Sequence, residues 1–160
     1  MLTAPKLLAK DHQLGDFRCG VASLDDWLKK RAYPNQIGGA SRTYVVTDGD
    51  RVVGYYSLAS GALALADAPG SIRRNMPDPV PMGILGRLAT DESFHGKGLG
   101  VALLQDAVVR TAQAAGIIGI RGLLVHAISI EAKTFYEYHG FVVSPTQPMT
   151  LILSLKELMA

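Results

Sequence analysis

Residues 83–100 read GILGRLATDESFHGKGLG. The first half is an apolar run of strand composition. It breaks at Thr90-Asp91-Glu92-Ser93 and enters a helix through Gly96, Gly98 and Gly100. Glycines there let bare backbone N–H groups face outward with no Cβ in the way. A helix N-terminus adds unpaired N–H donors and the positive end of the macrodipole. Together they make an anion site suited to a phosphate or pyrophosphate. A phosphorylated cofactor is therefore expected.

The neighbouring segments frame that site. Upstream, 82–89 is nearly all apolar, as in a central strand buried on both faces. Before it, 66–81 holds four prolines and reads as a loop with a short helix near 72–75. Earlier still, 43–47 (TYVVT) and 52–59 (VVGYYSLA) flank Asp48-Gly49-Asp50, which supplies the chemistry of a hairpin turn. Ser23 is placed to cap a helix with Leu24, Trp27, Leu28 and Ala32 on one face, bounded by Pro34. Residues 35–41 then read as a loop.

Downstream, the glycines open a helix over about 98–115, by periodicity. Its expected core stripe is Val101, Leu104, Ala107, Val108, Thr111, Ala112 and Ala115, with Gly116 as C-cap. A strand follows at 122–127 (GLLVHA), then a helix capped by Ser129 and ending at His139-Gly140, then a last strand at 150–155. Strand–helix–strand alternation makes 82–89 and 122–127 a parallel pair. The class is α/β: a mixed central sheet, antiparallel first, with a parallel pair in the middle and helices around it.

Composition narrows the class. The chain has 160 residues, 48% hydrophobic and 19% charged, as expected of one domain with its own core. No apolar run reaches the ~18 residues of a membrane span, and no secretory h-region is visible at the start. One cysteine, Cys19, leaves no disulfide framework or cysteine-rich metal site, so a cytoplasmic protein without metal is expected. Net charge is only +2, yet Lys29-Lys30-Arg31 and Arg73-Arg74 form basic clusters with no adjacent acids.

His95-Gly96-Lys97-Gly98-Leu99-Gly100 fits neither the P-loop nor the dinucleotide fingerprint. A second segment narrows the possibilities: Ser129-Ile130-Glu131-Ala132-Lys133-Thr134-Phe135-Tyr136-Glu137-Tyr138-His139-Gly140-Phe141. The pair resembles the GNAT acetyltransferase superfamily over about 43–155. In that family R/Q-x-x-G-x-G/A opens the helix that cradles the CoA pyrophosphate, and N-x-x-A-x-x-F/L-Y-x-x-x-G-F follows the next strand. His95 stands where Arg or Gln is usual, and Ser129 where Asn is common.

The resemblance implies a GNAT fold whose parallel strands splay, and acetyl-CoA as co-substrate. Leu88 and Ala89 would meet the pantetheine through backbone groups, and Thr90 would belong to the same cofactor set. His95, Gly96, Lys97, Gly98, Leu99 and Gly100 would hold the pyrophosphate, and Ser129 would complete the cofactor set. Tyr136 would protonate the departing sulfur. Phe135 and Phe141 read as packing, and Tyr138 points elsewhere on the helix.

No general base is evident on the strand, which carries Arg87 but no carboxylate or imidazole. Asp91 and Glu92 read as solvated turn residues. A lysine amine, of pKa about 10.4, needs help to lose its proton, whereas an α-amine near 7.7–8.0 needs little. The acceptor is therefore expected to be an α-amine. The patterns Leu24-Asp25-Asp26-Trp27-Leu28, Ser41-Arg42-Thr43-Tyr44-Val45, Val53-Gly54-Tyr55-Tyr56-Ser57-Leu58-Ala59 and Gly86-Arg87-Leu88-Ala89-Thr90-Asp91 narrow the resemblance further. They look like the acetyltransferase toxins of bacterial toxin–antitoxin modules.

That resemblance implies acetylation of the α-amine of aminoacyl-tRNA and inhibition of translation. It also implies a ribbon–helix–helix antitoxin partner, operator DNA met only through that partner, and a homodimer. Lys29, Lys30, Arg73, Arg74 and Arg87 would then face RNA phosphates. The alternatives are a GNAT enzyme acting on a small amine or protein N-terminus, and a non-catalytic CoA-binding module.

Overall fold

The Asp-Gly turn forms as its chemistry requires. Gly49 takes a left-handed φ of 66° and joins β2 (Arg42–Asp48) to β3 (Arg51–Leu63) as an antiparallel hairpin, with a bulge between Val46 and Thr47. The computed structural model describes residues 1–156. The end of the expected 1–160 domain, residues 157–160, lies outside the described residues. The remaining elements are β1 (Lys6–Leu7), α1 (Ala22–Lys30), α2 (Ala32–Ile37), α3 (Gly70–Arg73), β4 (Val80–Thr90), α4 (Leu99–Ala115), β5 (Gly122–His126), α5 (Ile130–Tyr138), β6 (Val142–Val143) and β7 (Thr150–Ser154).

The strands form one mixed sheet in the order β1-β2-β3-β4-β5-β7-β6. Within it β4 and β5 are the parallel pair; β5–β7 and β6–β7 run antiparallel. The β4–β5 pairs run from Met82↔Gly122 to Leu85↔Val125, while β4 itself continues to Thr90. The far end of β4 therefore lies beyond its pairing with β5. Among the described residues no helix is long and apolar enough to cross a membrane.

The chain divides into two compact units. The first comprises Met1–Ala59 and Gly86–Ala107, the second Ser60–Leu85 and Val108–Ala160. In the first, Leu8, Phe17, Leu28, Val45, Val52, Tyr55 and Ala89 share one buried cluster. The apolar face of α1 enters it through Leu24 and Leu28, with Trp27 partly buried alongside. On the other face of β3, Leu99 and Leu103 of α4 close over Gly54. A Cβ there would lie 3.0 Å from Leu103 and 3.1 Å from Leu99, so the glycine lets the start of α4 sit close against the strand. In the second unit, Leu63, Ile72, Val80, Met82, Leu124 and Ile152 form the buried cluster.

Several local expectations need correction. Ser23 lies inside α1, whose N-cap is Val21; the Asp25 carboxylate instead reaches back to the Cys19 N–H at 2.9 Å and ties down the helix entry. Pro34 does not end the helical region but sits in the first turn of α2, where a missing N–H costs nothing. Gly116 does follow α4 directly as its C-cap, but without a left-handed φ; its N–H donates to the Gln113 carbonyl at 3.1 Å. The short helix is α3, starting at Gly70. The α4 stripe is centred on Leu103, Leu104, Ala107 and Thr111, leaving Val101 and Val108 half-buried.

Candidate active site

All of 88–100 belongs to the first unit. Ala89 is buried in the α1 cluster, while Leu88 and Thr90 are half-buried. Two clasps then fix the turn after β4. Asp91 is 5% exposed, and its carboxylate accepts the Arg18 N–H at 2.9 Å, the Ser93 N–H at 3.1 Å and the Ser93 hydroxyl at 2.6 Å. Burial works to raise its pKa, yet the Ser93 and Arg18 donors, with Arg51 nearby, hold it below the ordinary carboxylate value. Asp91 is thus a buried clasp rather than the solvated turn residue expected, and its oxygens are taken. Glu92 is exposed.

The second clasp is His95, whose Nε2 lies 2.9 Å from the Thr90 carbonyl. The imidazole closes the turn it belongs to, which gives this unusual residue a structural task. Beyond it the backbone turns left-handed twice, at Gly96 (φ 74°) and Gly98 (φ 81°), and a Cβ at either would meet nothing within 4 Å. These glycines are required by conformation, not crowding. They leave open space in front of the loop, as a pyrophosphate cradle needs. Gly98 immediately precedes Leu99, so no side chain caps α4. Lys97 is exposed, its Nζ 5.3 Å from the Phe94 ring centroid. These features fit the phosphates of a CoA cofactor.

Tyr136 and Ser129 belong to the second unit. Ser129 is the N-cap of α5, its Oγ accepting the Ala132 N–H at 3.1 Å. Tyr136 is 6% exposed, its ring boxed by Phe135 and Phe141, each ring centroid 5.3 Å away. Burial pushes its phenol up to about 12. It therefore carries its proton throughout the physiological range, the state a proton donor needs. Tyr138, by contrast, is 85% exposed.

The basic residues fall in both units. Lys29 and Lys30 end α1, exposed, in the first. Arg73 and Arg74 are exposed in the second, where Arg74 lines a cavity of about 710 Å³ with Arg121 and Lys156. Arg87 lies in the first unit with its guanidinium carbon 4.4 Å from the Trp27 ring centroid. Sequence reading put Trp27 on a core face and left this contact unseen; the apolar spacing of α1 gave no hint of a cation across from it. Cys19 is buried, and burial first of all, then its contact with Asp25, pushes the thiol up to about 11.

A mixed sheet with one parallel pair, a glycine-opened helix after β4 and a buried tyrosine on the helix after β5 define an acyltransferase of the CoA-binding kind. The chain belongs to the GNAT family: the model described as an acetyltransferase (GNAT) domain matches residues 39–143. It is 50% identical over 155 residues to the tRNA-acetylating toxin of Mycobacterium tuberculosis, covering 97% of this chain and 93% of that one. Among solved structures it resembles AtaT complexed with acetyl-methionyl-tRNAfMet, with a TM-score of 0.91 at 30% identity over 99% of this chain and 97% of that one. It also resembles a variant AtaT toxin bound to the C-terminus of the antitoxin AtaR and acetyl-CoA, with a TM-score of 0.84 at 27% identity, covering 99% and 96%.

Proposed function

We propose that this chain is a toxin that transfers acetyl from acetyl-CoA to the α-amino group of aminoacyl-tRNA and so inhibits translation. The observation that carries this is the 50% identity, over nearly the full chain, to a tRNA-acetylating toxin. The site chemistry agrees with it. Asp91, just after β4, is occupied as a clasp, and β4 itself carries no carboxylate or imidazole, so the acceptor amine has to arrive largely unprotonated. The α-amine of an aminoacyl ester meets that demand.

When bound, acetyl-CoA supplies an acetyl group activated as a thioester. Leu88, Ala89 and Thr90 orient the pantetheine through β4 backbone groups beyond the β5 pairing. The backbone N–H groups from Gly96 to Gly100 hold the pyrophosphate, with Lys97 adding charge and His95 fixing the turn. The Ser129 hydroxyl accepts from Ala132 and keeps its own hydrogen for the cofactor. The substrate nitrogen forms the new C–N bond as the C–S bond breaks. Tyr136 gives its proton to the sulfur and is reprotonated from solvent, which also takes the proton the amine loses.

The same reading assigns Lys29, Lys30, Arg73, Arg74 and Arg87 to RNA phosphates. It treats 1–160 as one domain, since the family match draws on both units. It also assigns a cytoplasmic homodimer and a ribbon–helix–helix antitoxin through which the pair meets operator DNA; the antitoxin-bound AtaT supports the partnership. Purified protein mixed with acetyl-CoA and charged tRNA is expected to yield N-acetylated aminoacyl-tRNA. No such product across all isoacceptors would remove the proposal. Alanine at Lys29, Lys30, Arg73 and Arg74 with unchanged rates would instead indicate a small amine or a protein N-terminus as acceptor.

A further inference from the structure

Arg87 is half-buried on β4, and among the described residues its guanidinium forms no ion pair or hydrogen bond. A guanidinium stays charged at any working pH and carries five N–H donors. None of its nitrogens is among the buried unpartnered side-chain atoms of the described residues, so these donors are open to solvent. It is nevertheless held in place: it rests on the Trp27 ring at 4.4 Å, and Trp27 is stacked on Tyr55 with centroids 6.1 Å apart at 10°. Tyr55 is fixed in turn, its hydroxyl donating to the Leu24 carbonyl at 2.7 Å. A fixed cation with free donors is suited to bind an anion.

The anion is not the cofactor pyrophosphate. Tyr55 and Trp27 belong to the α1 face of β3, whereas α4, which opens at the pyrophosphate loop, packs on the opposite face over Gly54. Arg87 also precedes Leu88 and Ala89 directly, and one strand residue advances the chain only about 3.3 Å. The guanidinium therefore stands beside the acetyl end of the pantetheine path, on the face away from the pyrophosphate. A substrate presenting an α-amine there and carrying anions next to it is an aminoacylated RNA 3′ end.

Resting on the proposed function, we infer that Arg87 binds a phosphodiester of the aminoacyl-tRNA acceptor end and that Trp27 is its positioning residue. Arg87→Gln should raise KM for aminoacyl-tRNA on the order of tenfold and lower the salt slope of binding by about one. Arg87→Lys should recover part of the loss, since a point charge cannot form the fork. Trp27→Leu should shift KM for aminoacyl-tRNA in the same direction, and Trp27→Phe, which keeps an aromatic face, should rescue it. In the Arg87→Gln background, Trp27→Leu should add nothing. KM for acetyl-CoA should stay unchanged in every variant.

An unchanged KM for aminoacyl-tRNA in Arg87→Gln, a rise in the acetyl-CoA KM instead, or fully additive effects of Trp27→Leu and Arg87→Gln would each overturn the inference. A second arm separates it from the proposed function. Trp27 is the one tryptophan of the chain, so its emission should change when uncharged tRNA is titrated into the wild type and stay flat in Arg87→Gln. If the wild type fails to acetylate charged tRNA, the function falls while this titration still judges the clamp. Equal emission changes in both proteins overturn the clamp.

Discussion

The two helices that follow the parallel strands begin in opposite ways. α5 is closed at its start: the Ser129 hydroxyl occupies the Ala132 N–H. α4 is left open: Gly98 has no side chain to cap it, and a Cβ at either left-handed glycine before it would meet nothing within 4 Å. α5 thus satisfies one first-turn donor from within, while α4 leaves its first-turn donors for the phosphates proposed to bind there. The contribution proposed for α5 lies deeper, on the buried Tyr136.

The sharpest test of that division is Tyr136→Phe. It removes one hydroxyl and keeps the ring packed against Phe135 and Phe141. Acetyl transfer should fall about 100-fold, the scale of a lost general acid, while acetyl-CoA affinity by calorimetry stays within twofold. A variant with wild-type kcat would leave α5 without a chemical role. The pH profile makes the same point in the unmodified enzyme. Transfer should rise with pH as the acceptor amine loses its proton, near 7.7–8.0. It should show no alkaline fall below pH 11, because burial holds the Tyr136 proton to about 12. A descending limb centred near 10 would mean the donor is an exposed phenol.

The open start of α4 is tested by Gly98→Ala. Its φ of 81° is unfavourable for alanine, at a cost of about 1–2 kcal/mol. The added Cβ meets nothing in the protein itself, so any extra loss falls on what binds in front of the loop. KM for acetyl-CoA should rise about ten- to a hundredfold, one lost charge-assisted contact being worth about 1.5–3 kcal/mol, with KM for aminoacyl-tRNA unchanged. A Gly98→Ala variant that loses stability but keeps its acetyl-CoA KM would reduce the glycine to a turn residue.

What the sequence revealed follows the same split between local and distant causes. The Asp-Gly hairpin, the β4 run, the glycine-opened α4 and the Ser129 cap were legible because each is written within a few neighbouring residues. The two-residue strands β1 and β6 were not, since their pairing with β2 and β7 comes from tertiary contact and leaves no periodicity. α2 was hidden by Pro34, read as a stop although a first-turn position tolerates it. In the site, Asp91 looked solvated because its donors, Arg18 and Ser93, are partly supplied by a distant loop. Arg87 was visible as a charge, but Trp27 beneath it lies far away in the chain.

The smallest expected effect is that of Ser129→Ala, and it bears on the comparison most directly. Losing the cap should lower stability by about 1 kcal/mol, seen as a lower urea midpoint with an unchanged slope. If the hydroxyl hydrogen also serves the cofactor, the acetyl-CoA KM should rise about two- to fivefold, the scale of one neutral hydrogen bond of about 0.5–1 kcal/mol. Asn restores an N-cap acceptor and adds donors. Ser129→Asn should therefore recover both the midpoint and the KM. Recovery of the midpoint alone would confine Ser129 to capping and leave the α4 loop as the sole phosphate-holding start. A KM change as large as that of Gly98→Ala would erase the distinction between the two helix starts, because a self-satisfied cap would then be binding cofactor as strongly as an open one.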